Sequence, residues 1–336
     1  MAAARTLRVR SNVDHLGEAT LDGWRLEHRP LAAGSGPRDA LRDYLAARDD
    51  DFVVVDTDTT RLLWFCVLSL VVPRRFRLVS RDIVLSRPRT LRQRLVAAAK
   101  RLLLRRVSFF VLYHHDLSGY ARSFGITPER ARIIPFKVNL WETLQAGPLE
   151  VRDDGFFLQL GRTYRDIPTF IAACARSAVP SVLLRQPTGV LRAHGTHLAE
   201  GVALPPTLRE VVDEGGRESW LTLLTHCRAV VLPIQPDTIC NAGISTVLDA
   251  MALGKPVIIS RGSATEGFID ESQAVLVPPG DPDALAAAMR RVHEDAALRD
   301  SLSAAGRSLA ASVQGAARLN RDTVAILGAE AGAGNA

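Results

Sequence analysis

Cysteine is scarce: four occur in 336 residues, at 66, 174, 227 and 240, and none stands in a paired or metal-type spacing. That excludes a disulfide framework and a Cys-rich metal site, and it implies free thiols in a reducing compartment. Long hydrophobic runs are also missing. The longest, Leu62 to Pro73, has twelve residues, too few to span a bilayer as a helix. The opening MAAARTLRVR lacks the apolar core of a signal peptide, so a cytoplasmic protein is expected. Aromatic residues make up 6% of the chain, and no aromatic-rich strand or nucleic-acid motif occurs, so no nucleic-acid partner is expected. No short self-similar repeat is present.

An apolar content of 47% beside 23% charged residues suits soluble globular domains, and the length suits two of them. The net charge of +6 is unevenly placed. Residues 1–150 hold 25 Lys and Arg against 16 Asp and Glu, and residues 151–336 hold 17 against 20. Within residues 74–106 there are twelve basic residues and one acid, Asp82. Such a half fits an anionic partner: a membrane surface, a lipid pyrophosphate, an anionic glycan or nucleic acid. Arginine-rich composition alone is the bland alternative.

Taken in order, Thr6–Val13 and Trp24–Leu31 read as strands, PRDALRDYLAARDD as a short amphipathic helix, and Asp51–Thr57 as a buried parallel strand. Leu62–Pro73 reads as a helix on the sheet and Phe76–Asp82 as the next strand. Arg87–Arg106 carries Leu91, Leu95, Val96, Ala99, Leu102 and Leu103 at helical spacing among arginines. Two readings stand: a sheet-covering helix with a solvated basic face, or a helix lying on an anionic membrane. Val107–Tyr113 is a strand running into His114 and His115, which point to opposite sides and so do not share a metal. The polar, turn-rich Ala146–Gly155 marks a domain boundary. Phe156–Ala175 then reads strand, glycine turn, helix, with Gly161, Arg162 and Arg165 at the turn. The βα alternation continues, so a doubly wound parallel sheet is expected.

The stretch NAGISTVLDAMALGKP, Asn241 to Pro256, organises the second half. Strand Val230–Ile234 enters a loop with Gly243. A helix follows with Ser245 and Thr246 as candidate caps, Gly254 ends it, and Val257–Ser260 is a second buried strand. A helix start at the carboxyl end of a strand presents unpaired N–H groups and a positive dipole end, which suits a phosphate. Read blandly, it is an ordinary crossover.

This stretch, with TEGFID, AVLVPPGDPDALAAAM and a last helical pair, resembles the nucleotide-sugar half of GT-B glycosyltransferases, family 4 and its relatives. The resemblance covers roughly residues 155–312, and 105–140 more faintly. It implies an α/β fold of two Rossmann-like doubly wound domains facing a cleft. The expected bounds are 1–147 for the acceptor side and 148–313 for the nucleotide-sugar side. A helix over 314–327 would cross back to the first domain, and 328–336 would form a disordered tail. The family's two glutamates, for donor sugar and ribose, fall on Asn241 and Asp249. Its glycine-rich loop after the first strand is reduced to Gly17.

The implied activity moves a sugar from a nucleoside-diphosphate sugar to a hydroxyl of a glycan, lipid-linked or small-molecule acceptor, with retention and without a metal or other cofactor. By resemblance, Arg162 and Arg165 are the catalytic cations on the diphosphate. Gly161, Asn241, Ala242, Gly243, Ile244, Ser245, Thr246 and Asp249 bind the donor. Arg81, Asp82, His114 and His115 stand on the acceptor side, an arginine there fitting an anionic acceptor. The expected location is cytoplasmic, peripheral on the inner membrane face through residues 87–106. The altered acidic pair and reduced glycine loop keep two other readings open: a catalytically silent sugar-nucleotide sensor or partner subunit, and a nucleic-acid binder using the basic half.

Overall fold

Continuous apolar runs such as FVVV, FFVL, AVVL and VIIS become strands buried on both faces, the pattern of parallel sheets covered by helices. The computed structural model describes residues 5–199, 201–213 and 216–333. Met1–Ala4, the start of the segment read for a signal peptide, and residues 334–336 of the expected tail lie outside them. The chain divides into two units, one of residues 1–135 with 316–336, the other of 136–315.

The first unit holds β1 (Arg5–Ser11), β2 (Trp24–Pro30), β3 (Phe52–Asp56), β4 (Arg77–Arg81), β5 (Phe109–Leu112) and β6 (Ala131–Ile133). They form one parallel sheet in the order β2-β1-β3-β4-β5-β6. Helices α1 (Pro37–Ala46), α2 (Thr59–Val71), α3 (Leu91–Leu104) and α4 (Ser118–Phe124) lie between strands. Thr90 and Gln93 start α3 with reciprocal side-chain to backbone bonds.

The expected apolar face of α3 does not cover the sheet. Only Ala97 and Leu104 are buried on this helix, while Leu91 is 74% exposed and Leu95 66%. The expected tail needs correction as well. The last helix of the chain, α12, runs Ala316–Ala333, buries Leu319 and packs Val324 and Leu327 into a core that includes Leu7, Val9 and Phe52. Gly328 lets it seat, because a Cβ there would come 2.4 Å from Leu21 Cδ2. Glu330 then pairs with Arg77 and Arg132.

The second unit begins with α5 (Trp141–Ala146) and holds β7 (Phe157–Gln159), α6 (Ile167–Ser177), β8 (Ser181–Arg185), α7 (Thr188–Ala193), β9 (Leu208–Val212), α8 (Arg217–His226), β10 (Ala229–Leu232), α9 (Ile244–Ala252), β11 (Val257–Ser260), β12 (Val275–Val277), α10 (Pro282–Glu294) and α11 (Ala296–Val313). Its parallel order is β12-β11-β10-β7-β8-β9. The direction of winding reverses between β7 and β10, which opens a crevice at their carboxyl ends. The boundary lies upstream of the turn-rich segment, because residues 136–147 belong to this unit. Val138 and Leu140 are buried, the Val138 N–H donates to Gln314 O, and the Leu140 N–H donates to Asp249.

Candidate active site

Two loops meet at the β7/β10 crevice. After β7 the chain turns at Gly161, whose φ of 92° is the left-handed region open to glycine, and passes Arg162 and Thr163 before α6. After β10 it reaches Gly243, with φ of 96°, and enters α9. No side chain caps α9, so the expectation that Ser245 or Thr246 would do so fails: both lie inside the first turn. Their N–H groups, without intrahelical acceptors, are left for a ligand.

Arg165 links the loops. It is 2% exposed; its Nε donates to Leu160 O at 2.9 Å, Nη1 to Thr163 O at 2.9 Å and Nη2 to Thr246 Oγ1 at 3.3 Å. Its backbone N–H donates to Thr196 Oγ1 at 2.8 Å. Among the described residues no carboxylate pairs with this guanidinium, and burial lowers its pKa to about 10, so the cation persists at neutral pH. A buried cation without a counter-charge costs several kcal/mol relative to a paired one, on the order of 3–5. An arriving anion recovers that difference. Arg162 is exposed beside it.

These groups line a cavity of about 330 Å³, within the range of small-molecule sites. Gly161, Arg162, Arg165, Gly243, Ser245, Thr246 and Asp249 line it; Asn241, Ala242 and Ile244 do not. Ala242 instead lines a neighbouring hollow of about 200 Å³ with Asp237, Thr238 and Arg261. The sequence reading missed Gln186, His194, Asp213 and Trp220 on the wall of the larger cavity. Gln186 Nε2 donates to Asp213, and His194 Nδ1 stands 3.4 Å from Thr163 Oγ1. Burial first, then Arg162, lowers the His194 pKa. The only signal for the first three was their place just past β8, α7 and β9; Trp220, inside α8, carried none.

Asp249 has partners that the sequence did not reveal. It is 5% exposed; Oδ1 accepts from the Leu140 N–H at 3.0 Å and Oδ2 from Asn139 Nδ2 at 3.1 Å. The carboxylate thus ties α9 to the chain entering α5. Burial pushes its pKa up to about 6, against the opposing pull of those two bonds and of Lys137. The folded chain therefore holds this proton to higher pH than the unfolded chain. Between about pH 4 and 6 stability falls as pH rises, by on the order of 3 kcal/mol from this group. The unfolding free energy of wild type minus that of Asp249→Asn, followed by denaturant titration, is expected to fall across that window and level off above pH 7. A flat difference would remove the buried carboxylate from the account.

The four residues expected on the acceptor side all lie in the first unit. Arg81 is buried, with Nε 3.2 Å from Asp56 Oδ1 and Nη1 donating to Asn320 Oδ1 at 3.1 Å. It braces α12 against β4. Asp82 follows with a left-handed φ of 51°. His114 is buried edge-on to Tyr120 with ring centroids 4.9 Å apart, both ring nitrogens lack a hydrogen-bond partner among the described residues, and burial lowers its pKa to about 4. His115 is exposed. Among the described residues no group of three His, Cys, Asp or Glu side chains stands together as a metal site, and no helix is long and apolar enough to cross a membrane. All four cysteines are free and buried.

Comparison with known proteins finds a family model that matches part of the chain and solved structures of the same fold. Residues 196–295 match the family described as "Glycosyl transferases group 1". No curated protein matches the chain. Among solved structures, the sucrose-phosphate synthase of Thermosynechococcus elongatus superposes with a TM-score of 0.69 at 15% identity, over 98% of this chain and 100% of that one. HepE of Anabaena, in complex with UDP and glucose, gives 0.63 at 15% identity over 91% and 86%. The UDP-forming trehalose-phosphate synthase of Burkholderia xenovorans, in complex with glucose-6-phosphate, gives 0.60 at 15% identity over 86% and 76%. The chain therefore has the GT-B fold, and its residues 196–295 are similar to the group 1 glycosyl transferases.

Proposed function

We propose that the chain transfers a glycosyl unit from a nucleoside-diphosphate sugar to an acceptor hydroxyl. The observation that carries this reading is the buried Arg165 guanidinium, without a carboxylate partner, beside the uncapped start of α9 at the switch point of the second sheet. Cleavage of the bond to the sugar leaves negative charge on the diphosphate. The Arg165 N–H groups, the α9 N–H groups and the exposed Arg162 meet that charge, so the leaving group needs no metal. These donors are fixed before the reaction and need little reorganisation. The nucleoside lies along the wall formed by Gln186, His194, Asp213 and Trp220. The sugar extends toward the hollow lined by Ala242, Asp237, Thr238 and Arg261.

Retention of configuration belongs to this proposal by family resemblance. On the acceptor side we keep Asp82, His114 and His115, since carboxyl ends of strands are where doubly wound sheets take ligands. Arg81 is withdrawn, its guanidinium being engaged by Asp56 and Asn320. We also keep the proposal that α3 brings the enzyme to an anionic membrane. One observation favours the sensor reading instead: both oxygens of Asp249, expected on the ribose, already accept hydrogen bonds.

The test is nucleotide release from a panel of nucleoside-diphosphate sugars, uridine first, offered sugar, sugar-phosphate, glycan and lipid-linked acceptors. Turnover is expected, reduced at least tenfold in Arg162→Ala, the scale for losing one charge-assisted hydrogen bond of about 1.5–3 kcal/mol. Tight binding with no turnover for any acceptor would turn the reading to a sensor.

A further inference from the structure

A further cavity lies before the amino ends of β3 and β4, opposite the strand carboxyl ends that serve as the reaction edge of such sheets. It measures about 430 Å³ and opens in the first unit between the end of α1, the end of α2 and the loop leading into β4. Arg48, Arg74 and Arg75 line it, with Asp49 as the one acid. Most buried or half-buried arginines of this unit are paired: Arg10 with Asp50, Arg61 with Asp43 and Asp58, Arg77 with Glu330. None of the three cavity arginines pairs with a carboxylate among the described residues.

Arg74 is half-buried over the Phe76 ring at 5.7 Å. Its Nη2 donates to Arg106 O, while its buried Nη1 has no partner among the described residues. Capping of helix ends accounts for Arg106, which donates to Ser69 O at 2.8 Å, and for half of Arg74. It does not account for Arg48 and Arg75, which make no such bond and are exposed. Three guanidinium groups on the wall of one cavity suit a phosphate by charge and by their forked N–H donors.

The surroundings decide which phosphate. Helix α1 packs on α2 and α2 on α3, and each turns apolar side chains to solvent. At about 100° per residue, Leu91, Leu95 and Leu102 share one face of α3 with Ala98 and Ala99, opposite the buried Ala97 and Leu104. Arg94, Arg101 and Arg105 flank the stripe on one side and Arg92 on the other. On α2, Leu70 and Val71 are exposed, Val71 to 76%, next to the cavity-lining Val72. On α1, Leu41 and Leu45 are exposed, and Leu45 itself lines the cavity. A soluble phosphate would leave this rim in water, whereas a bilayer covers it.

We propose that the α1–α2–α3 face docks on an anionic phospholipid bilayer and that the Arg48–Arg74–Arg75 cavity receives a lipid phosphate headgroup. The proposal rests on the membrane reading above and adds a headgroup site at a defined place. Its test is co-sedimentation of the full chain with phosphatidylglycerol/phosphatidylcholine vesicles and with pure phosphatidylcholine vesicles, at low and raised salt. Wild type is expected to bind the anionic vesicles and to release as salt rises.

Arg48→Gln with Arg75→Gln is expected to lower partitioning roughly thirtyfold, two basic residues at about 1 kcal/mol each. Arg290→Gln with Arg291→Gln on α10 removes the same charge elsewhere and is expected to change it less than about threefold. Melting temperatures of both variants check folding. Equal losses in the two variants, or none in the first, overturn the headgroup site while leaving the membrane reading standing. No vesicle binding by wild type overturns both. Calorimetry with inorganic phosphate is the last arm: binding there that needs Arg48 and Arg75, without vesicle binding, assigns the cavity to a soluble phosphate and overturns the membrane source.

Discussion

Arg165→Met is expected to lower nucleoside-diphosphate affinity by about two to four orders of magnitude and glycosyl transfer by about two to three, while changing stability by less than about 2 kcal/mol. Two opposing terms keep the stability change small. Methionine fills most of the same volume and removes a buried cation without a counter-charge, which favours the fold. It also leaves Leu160 O and Thr163 O without their donor, at about 1–3 kcal/mol each. Binding has no such offset. The variant loses two N–H groups not used within the protein, each worth about 1.5–3 kcal/mol toward a charged acceptor. For turnover, loss of one preorganised donor lowers kcat by roughly 10²–10³. Calorimetric titration beside thermal melting separates the two effects. A folded variant with wild-type affinity would show that Arg165 merely staples the β7 turn to α9.

Gly161→Ala is expected to be nearly as damaging, although it adds a single methyl group. The backbone φ of 92° is strained for any residue with a Cβ, on the order of 1–3 kcal/mol. That Cβ would also stand 2.3 Å from Arg165 Nη2. The guanidinium cannot step aside freely, because Leu160 O, Thr163 O and Thr246 Oγ1 hold it. The added methyl should therefore push out the group that the ligand needs, and affinity should fall with stability. Gly243→Ala provides the graded comparison: its φ of 96° is similar, but its Cβ would meet Arg165 Nη1 at 3.4 Å. A smaller affinity loss is expected there. Full affinity in Gly161→Ala would contradict the pinned geometry.

Both sheets were legible because a buried parallel strand reads as an unbroken apolar run and a helix as a 3.6-residue period. The turn after β7 was legible for a related reason: a glycine at the end of such a run marks a break in the strand. What failed to show was tertiary partnership. Asp249 sits in the right helix, but its partners Asn139 and Leu140 lie more than a hundred residues upstream. No local pattern links them. The tail read as disorder from its small residues, whereas Gly328 is small so that the helix can approach Leu21. In α3 the period was right and the direction stayed open between the sheet and solvent. Periodicity says that a helix has an apolar face, not which way it turns, and here Leu91, Leu95 and Leu102 face solvent.

The most direct measurement of the central claim compares uridine, guanosine and adenosine with their diphosphates by calorimetric titration of the wild-type chain. If Arg165 and the α9 start form a diphosphate site, at least one nucleoside diphosphate binds more than about a hundredfold tighter than its nucleoside, about 2.7 kcal/mol or more. Equal affinity for nucleoside and diphosphate, or no binding by any of the three diphosphates, would contradict it.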